Sequence, residues 1–256
     1  MLQKIKMKRI VRTIFITIIL FVLVVAVCPF SFNFDSPKKN NASNLVYESF
    51  KDNQDVYVKD IAMLGAHDAF SSNINLTSKL DPCEDGIYSK PVIGDIIKGL
   101  TVRLSKTQLS GSYDLLTHGV RYFDVRLSYI DNEWYTKHVY LSDRLETYVL
   151  PMIKFLSENK GEIVIFDIQH AYLQDASYST LWSYLSNLEY NGISLLDFVN
   201  YNPREKSIEE LKYRDVTLNG TKSGVIILAK DSTSIYHHAY YDSIRSSWHD
   251  KVRDED

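Results

Sequence analysis

The sequence predicts an α/β domain built on a parallel sheet or barrel, and three observations carry the prediction. Short apolar runs of strand length (Ile61–Leu64, Glu162–Ile168, Val225–Ala229) alternate with longer segments of helical periodicity. Titratable residues follow or interrupt those runs, and the carboxyl ends of parallel strands are where such folds place their chemistry. At 256 residues the chain can bury a full core, enough for one domain of α/β barrel size.

Composition narrows the partners. A net charge of −3 with both signs well mixed argues against a nucleic-acid protein. The 18 tyrosines are compatible with a carbohydrate or interfacial surface and single out neither. The two cysteines, Cys28 in an apolar run and Cys83 in a polar loop, form no disulfide framework and no metal cluster, so no cofactor and no metal is expected. Oligomeric state is left open.

The N-terminus is the clearest compositional feature. Lys4, Lys6, Lys8, Arg9 and Arg12 precede an uncharged run from Thr13 to Phe34. Its apolar part, Ile14–Phe30, has the length of a shorter membrane-spanning helix. Residues 1–34 are therefore expected to be a signal anchor, with a cleaved signal peptide as the alternative. Flanking positive charge keeps such an N-terminus in the cytoplasm, so the folded part would be membrane-anchored and extracellular, or secreted. Residues 35–55 read as a tether and 56–256 as the folded domain.

Within the domain, Ile61–Leu64 reads as a buried strand stopped by Gly65, with His67 and Asp68 just past its end. Val92, Ile93, Ile96, Ile97, Leu100 and Leu104 have helical spacing. That helix either packs on the core, the favoured expectation, or touches a membrane. Gln108–Thr117 reads as a further helix ending near Gly119. Val120–Leu127 alternates, with Tyr122, Asp124 and Arg126 on one face and Phe123, Val125 and Leu127 on the other. A buried Asp and Arg side by side are either a structural ion pair or serve a ligand. Glu133–His138 is the next strand, with His138 near its end. Asp143–Ser157 reads as a helix capped by Ser142 or Asp143, closed by Lys160-Gly161. The strand Glu162–Ile168 carries Asp167 and is followed by Gln169 and His170. Leu181–Leu188 is helical, and Ser207–Leu211 starts with a capping-box pattern. After the strand Val225–Ala229 come Lys230 and Asp231, and residues 239–256 read as the start of another helix.

Three strand ends thus carry His67 with Asp68, Asp124 with Arg126, and His138. Two histidines and an arginine suit phosphodiester cleavage by internal attack. One imidazole takes a proton from a hydroxyl, the other gives one to the leaving oxygen, and the guanidinium stabilises charge on the phosphoryl oxygens. Neutral and protonated imidazoles coexist near pH 7, so such a pair can do both jobs.

Four boxes in order then resemble a known family. Leu64-Gly65-Ala66-His67-Asp68-Ala69 resembles its PGTHDS box, and Leu116 to Arg126 (LTHGVRYFDVR) its QL..GIRYFDIR box. Lys137-His138 resembles its HG box, and Glu162 to His170 (EIVIFDIQH) its E.VILDFQH strand. The resemblance is to the X domain of phosphatidylinositol-specific phospholipase C, in its small X-domain-only and bacterial-type members, over roughly residues 55 to 235. It implies a TIM-type (β/α) barrel, distorted and short of strands at its C-terminus. It also implies a phospholipid substrate at a membrane surface, cleaved to diacylglycerol and inositol 1,2-cyclic phosphate. By position His67 is the base, His138 the acid, and Arg126 the stabiliser of the phosphorane. Asp68 holds Arg126, and Asp124 holds His138. Calcium-dependent members carry an acidic residue at the Arg126 position, so the metal-independent mechanism is implied.

Gln169, His170 and Lys230 are the candidate substrate contacts. Gln169 stands where bacterial members have a substrate-contacting Lys, and His170 reads equally as a contact or as a polar strand-end residue. Ala66 and Ala69 replace Thr and Ser, and Val139 replaces the Gly after the second histidine. About six strands are counted, fewer than the eight of a closed barrel. The carboxylate that orients the first histidine in the family has no counterpart in the sequence. A truncated gene product is one expectation, a barrel closed differently the other. Two other functions stand beside the enzyme: a catalytically impaired X-domain protein that binds head groups or a partner, and a metal-dependent glycerophosphodiesterase, which would need more carboxylates near His67.

Overall fold

The computed structural model describes residues 2–27, 41–230, 240–242 and 244, with the side chains of the N-terminal helix described for residues 7–21. In chain order the elements are α1 (Leu2–Val27), α2 (Leu45–Phe50), β1 (Leu64–Ala69), α3 (Ile93–Ser105), α4 (Ser112–Thr117), β2 (Val120–Ile130), β3 (Glu133–His138), β4 (Tyr140–Arg144), α5 (Glu146–Glu158), β5 (Ile163–Tyr172), α6 (Tyr178–Asn187), the hairpin β6 (Glu189–Tyr190) and β7 (Ile193–Ser194), α7 (Tyr213–Thr217), β8 (Gly224–Ala229) and β9 (Tyr240–Asp242).

The main sheet has seven strands in the order β4-β3-β2-β5-β8-β9, with β1 also paired to β2. Strands β1, β2, β5, β8 and β9 run parallel, as the alternation of strands and helices predicts. β2 is the organising strand. One of its edges is occupied by β5 from Tyr122 to Ser128. The other is shared: β1 lies parallel along its first half, and β3 returns antiparallel along its second. The ends of β1 and β3 therefore converge near the middle of β2. A two-residue turn, Asp131-Asn132, makes that return possible, because positive φ at both residues matches the right-handed twist of the strands. An eight-stranded barrel of this type is not closed by the described residues.

The core forms on both sides of the sheet. Phe123, Val125 and Leu127 of β2 and Val164, Phe166 and Ile168 of β5 are buried in one cluster with Val149, Met152 and Ile153 of α5. Ile163 of β5 and Ile226 and Leu228 of β8 join a second cluster with Val46, Leu211, Tyr213 and Val216. The six residues of β8 are all buried, so its unbroken apolar run, Val225–Ala229, is that of a parallel strand covered on both faces.

Several boundaries differ from expectation. β1 begins at Leu64 and contains Gly65 and His67, so the site lies on the strand and not past its end. β2 and β5 run on to Ile130 and Tyr172, which puts Gln169 and His170 inside a strand. Ser142 and Asp143 cap nothing; they lie in β4, and α5 starts at Glu146. Residues 240–242 form a strand paired with β8 where a helix was expected; most of 239–256 lies outside the described residues.

The expected tether is not a loose linker where it is described. α2 docks on the domain with Val46 buried. The backbone N–H of Tyr47 donates to Glu162 at 2.9 Å, and the same carboxylate is paired with buried Arg121 at 2.7 Å. A buried Glu–Arg pair needs its remaining hydrogen-bonding capacity met, and the first turn of α2 with the carbonyls of Ala42 and Leu116 meets it.

The membrane expectations also change. α1 is a 26-residue helix, yet no helix among the described residues is long and apolar enough to cross a membrane. A membrane-spanning or signal helix is therefore not supported; the later part of the apolar run, with Cys28, lies outside the described side chains. α3 does form where its periodicity predicts, but the apolar stripe faces outward. Ile96 and Leu104 are 60% and 68% exposed, and the buried residues are Thr101, Val102 and Ser105. Core packing is thus not the role of that stripe.

Candidate active site

The convergence of β1 and β3 on β2 builds the site. Ala66 pairs with Phe123 and Ala69 with Val125, so two residues of β1, His67 and Asp68, stand opposite the single residue Asp124. A bulge of this kind breaks the alternation and lets neighbouring side chains reach the same side. Asp68 takes φ +45°, a left-handed conformation that Asp tolerates better than most residues. The bulge is held from outside β1. Thr107 Oγ1 donates to the Asp68 carbonyl at 2.9 Å, Gln108 Nε2 donates to the His67 carbonyl, and Ser71 binds both Thr107 and Gln108. Gln108 lies in the loop after α3 and not in the helix expected there.

A second bulge sits across the site. Val125 pairs with Ile168 and Arg126 with His170, leaving Gln169 as the extra residue of β5. Gln169 and His170 consequently both line the cavity, together with His67, Asp68, Tyr122, Asp124, Arg126 and His138. Its volume is about 920 Å³. The expected face of β2 is confirmed: Tyr122, Asp124 and Arg126 all line it. Lys230 does not. It is exposed just beyond β8 and reaches the site only as a distant charge on His170.

Asp68 is the hub. Its side chain is 3% exposed. Oδ1 lies against Arg126 Nε in a short ion pair, and Oδ2 lies 3.1 Å from Nε2 of both His67 and His138. Asp124 Oδ2 is 2.8 Å from His67 Nδ1 and accepts the Asp68 N–H at 3.2 Å. The roles inferred for the carboxylates therefore change. Asp68 does hold Arg126, but it is also the carboxylate on His138; Asp124 serves His67. Asp124 thereby fills the place for which the sequence offered no candidate. The physical reason is the bulge, which turns Asp68 toward the ends of both strands while Asp124 stays opposite His67.

His138 sits at the carbonyl end of α3, where positive charge is stabilised, and its Nδ1 lies 3.0 Å from the Ser105 carbonyl. Both of its ring nitrogens thus face acceptor oxygens, one of Asp68 and one of the Ser105 carbonyl. The next residue, Val139, has φ +62°, an unusual conformation for a β-branched residue and one that the family's Gly adopts freely. Lys137, just before, is buried between Asp81 at 3.0 Å and Glu84 at 2.5 Å. These carboxylates hold its amine above its usual range against the opposing effect of burial.

The cavity floor was not read from sequence. Asp167 is fully buried and accepts from the Tyr122 hydroxyl at 2.7 Å and from Gln169 Nε2 at 2.6 Å. Burial first, and then Asp167, push the Tyr122 phenol up. Burial first, and then the charges of Lys230 and Arg126, push the His170 imidazole down. Among the described residues, His67, Asp68 and Asp124 offer ligand atoms within 4.8 Å of one another, a spacing that could hold a metal ion. The Arg126 guanidinium already supplies positive charge at Asp68.

The site is thus a set of two imidazoles, two carboxylates and a guanidinium gathered at the strand ends of an incomplete α/β barrel. No protein-family model matches the chain. Individual proteins do. A PI-PLC X-box domain-containing protein of Dictyostelium discoideum is 32% identical over 129 residues, 50% of this chain and 16% of that protein. The variant-surface-glycoprotein phospholipase C of Trypanosoma brucei brucei is 31% identical over 126 residues, 45% of this chain and 35% of that protein. A mutant of phosphatidylinositol-specific phospholipase C from Staphylococcus aureus has the same fold, with a TM-score of 0.53 at 17% identity, covering 83% of this chain and 61% of that one. Together these likenesses support the phosphatidylinositol-specific phospholipase C X-domain family for this chain, which spans well under half the length of the two curated relatives.

Proposed function

We infer that the chain is a metal-independent phosphodiesterase of the phosphatidylinositol-specific phospholipase C type, acting on phospholipid at a membrane surface. The observation that carries this reading is the Asp68 hub, which gathers two imidazoles and a guanidinium in one cavity. His67, oriented through Nδ1 by Asp124, takes the proton of the inositol 2-hydroxyl at Nε2. The 2-oxygen bonds to phosphorus and the glycerol oxygen leaves, taking its proton from His138. Arg126 meets Asp68 and Asp124 through Nε and lines the same cavity, where its guanidinium would stabilise charge on the phosphoryl oxygens. The products are diacylglycerol and inositol 1,2-cyclic phosphate. The outward apolar stripe of α3, whose last turn touches His138, supports action at a lipid surface, with the domain outside the cell as the proposed location.

One observation favours the second reading, binding without turnover. Both ring nitrogens of His67 lie against carboxylates, so the nitrogen that would take the hydroxyl proton already faces Asp68. A single experiment separates the two. Release of cyclic inositol phosphate from phosphatidylinositol vesicles is followed for the wild type, His67→Ala and His138→Ala, and repeated with a p-nitrophenyl phosphodiester, whose leaving group needs no proton. Recovery of activity in His138→Ala alone on the second substrate supports the roles given. Vesicle binding with no product from the wild type rejects the enzyme.

A further inference from the structure

His138 ends β3, and the residue after it is strained. Val139 has φ +62°, a backbone conformation that a β-branched side chain strongly disfavours. The turn requires it, because β4 returns on β3 at once, with His138 paired to Tyr140. Relaxation of Val139 toward the extended region would rotate the peptide that carries His138, and the ring with it. Such a residue keeps its conformation only where its surroundings over-determine it. Here they do. The Asp81 N–H donates to the Val139 carbonyl at 3.0 Å, the Leu141 N–H donates to the Lys79 carbonyl at 2.9 Å, and Leu80 forms a bridge with Tyr140. The segment between β1 and α3 thus runs antiparallel along residues 139–141, and Leu80 and Val139 pack together against Ile74, Val102 and Tyr140.

Asp81 is itself fixed by charge. It is fully buried, and its carboxylate accepts from the Cys83 N–H at 2.8 Å and from the Ser128 hydroxyl of β2 at 3.3 Å. Its other oxygen lies 3.0 Å from the Lys137 amine, which also meets Glu84 at 2.5 Å and sits 3.9 Å from the centre of the Tyr172 ring. Alternation along β3 sends Lys137 to the face opposite His138, and neither Lys137 nor Asp81 lines the cavity. Neither can therefore touch a substrate there. A buried ion pair adds little net stability, since desolvation of both charges cancels much of their attraction; the role it fits here is to fix one geometry.

We propose that Lys137 and Asp81 are positioning residues for the reaction: their ion pair pins the segment before α3 to the end of β3, holds Val139 in its left-handed conformation, and so aims His138 at the leaving oxygen. Lys137 ties the segment to β3, Ser128 ties it to β2, and the backbone bond from Asp81 carries both restraints to residue 139. The inference rests on the phosphodiesterase reading for the step that His138 performs and deepens it. It assigns a task to a buried cation that stands next to the acid in sequence and on the far side of the strand in space.

The test uses the full chain. Lys137→Met alone would leave the buried Asp81 carboxylate bare, so it is made together with Asp81→Asn, and folding is checked by circular dichroism. On phosphatidylinositol vesicles the paired variant is expected to lose on the order of 10- to 100-fold in kcat with little change in KM. On the p-nitrophenyl phosphodiester, whose leaving group needs no proton, the loss is expected to stay under about threefold. Adding Val139→Gly to the paired variant is expected to recover at least about half of the lost activity on a logarithmic scale, because Gly takes the left-handed conformation unaided. Equal losses on the two substrates, an unchanged kcat, or no recovery with Val139→Gly overturns the inference and leaves the phosphodiesterase reading intact. If the wild type turns over neither substrate, the phosphodiesterase reading fails on its own. The inference is then judged by a crystal structure of the paired variant. Val139 relaxed to extended backbone with His138 moved off the Ser105 carbonyl supports it, and both residues unmoved overturn it.

Discussion

Replacing Asp68 by Asn keeps the volume of the hub and removes its charge. The carboxylate is almost fully buried and faces Arg126 with one oxygen and both histidines with the other. Without it, the nearest carboxylate oxygen to Arg126 Nε is that of Asp124 at 3.8 Å. Two unit charges about 4 Å apart interact by roughly 4 kcal/mol at an effective dielectric of about 20 and by about 1 kcal/mol in water. Arg126 is 28% exposed, so the pair lies between these limits, and relief of the carboxylate's desolvation offsets part of the loss. A net destabilisation of about 2 kcal/mol is expected, read in urea melts as a lower midpoint with an unchanged slope. On the phosphodiesterase reading kcat falls further, by about 10²- to 10³-fold, because the guanidinium and both imidazoles lose one shared anchor. KM changes little by comparison. The exposed Asp85→Asn is the control. If Asp68→Asn keeps kcat within a few-fold of that control, the hub is structural and the catalytic argument built on it is wrong.

Other outcomes follow from the same geometry. Asp124→Ala lowers kcat by about 10²-fold or more and is not rescued by the p-nitrophenyl substrate, because it acts on the base; rescue would return Asp124 to His138. Dialysis against a chelator leaves activity unchanged; its loss would mean that His67, Asp68 and Asp124 hold an ion. His170 titrates below its usual 6.5 in the folded chain, so the unfolded chain takes up the proton first as pH falls. Stability is therefore lost as pH drops below about 6.5, and His170→Gln flattens that loss in melts taken from pH 7 to 5. Gly161→Ala places a Cβ 2.5 Å from Tyr47 and 2.8 Å from the Tyr213 hydroxyl at φ +74°. It destabilises by about 2–4 kcal/mol and exposes residues 41–50 to proteolysis; resistance equal to the wild type would mean that α2 is not docked as described.

Much of the fold was legible because the core strands carry their burial in their composition. The run Val225–Ala229 is uniformly apolar since both of its faces are covered, and Phe123, Val125 and Leu127 alternate since only one side of β2 enters that core. What failed were the places where local pattern and tertiary context conflict. The stripe from Val92 to Leu104 has core periodicity but no core above it, and periodicity reports a shared face without saying what the face meets. The segment before residue 55 looked like a tether because its anchor, the Arg121–Glu162 pair, is 79 to 115 residues away in sequence.

The candidate site was legible as a set of residues and not as a set of contacts, and the two bulges explain why. Strand alternation allows only every second residue onto one side, so it cannot place both His67 and Asp68, or both Gln169 and His170, in a single cavity. Each bulge depends on partners that carry no pattern of their own. Thr107 and Gln108, both held by Ser71, grip the backbone of the first, and Asp167 with the Ile244 carbonyl fixes the side chain at the second. The pairing of carboxylates with histidines follows from that added residue. If β1 ran without its bulge, the two neighbours could not share a face, and one of His67 and Asp68 would leave the cavity. The reassignment of Asp68 to His138 and of Asp124 to His67 thus stands or falls with the bulge. Thr107→Val tests it without touching an ionisable group: it removes the 2.9 Å hydrogen bond to the Asp68 carbonyl and leaves the shape in place. A fall in kcat of about tenfold is expected, the equivalent of about 1.4 kcal/mol. An unchanged kcat would mean that β1 holds its bulge without help from the loop after α3.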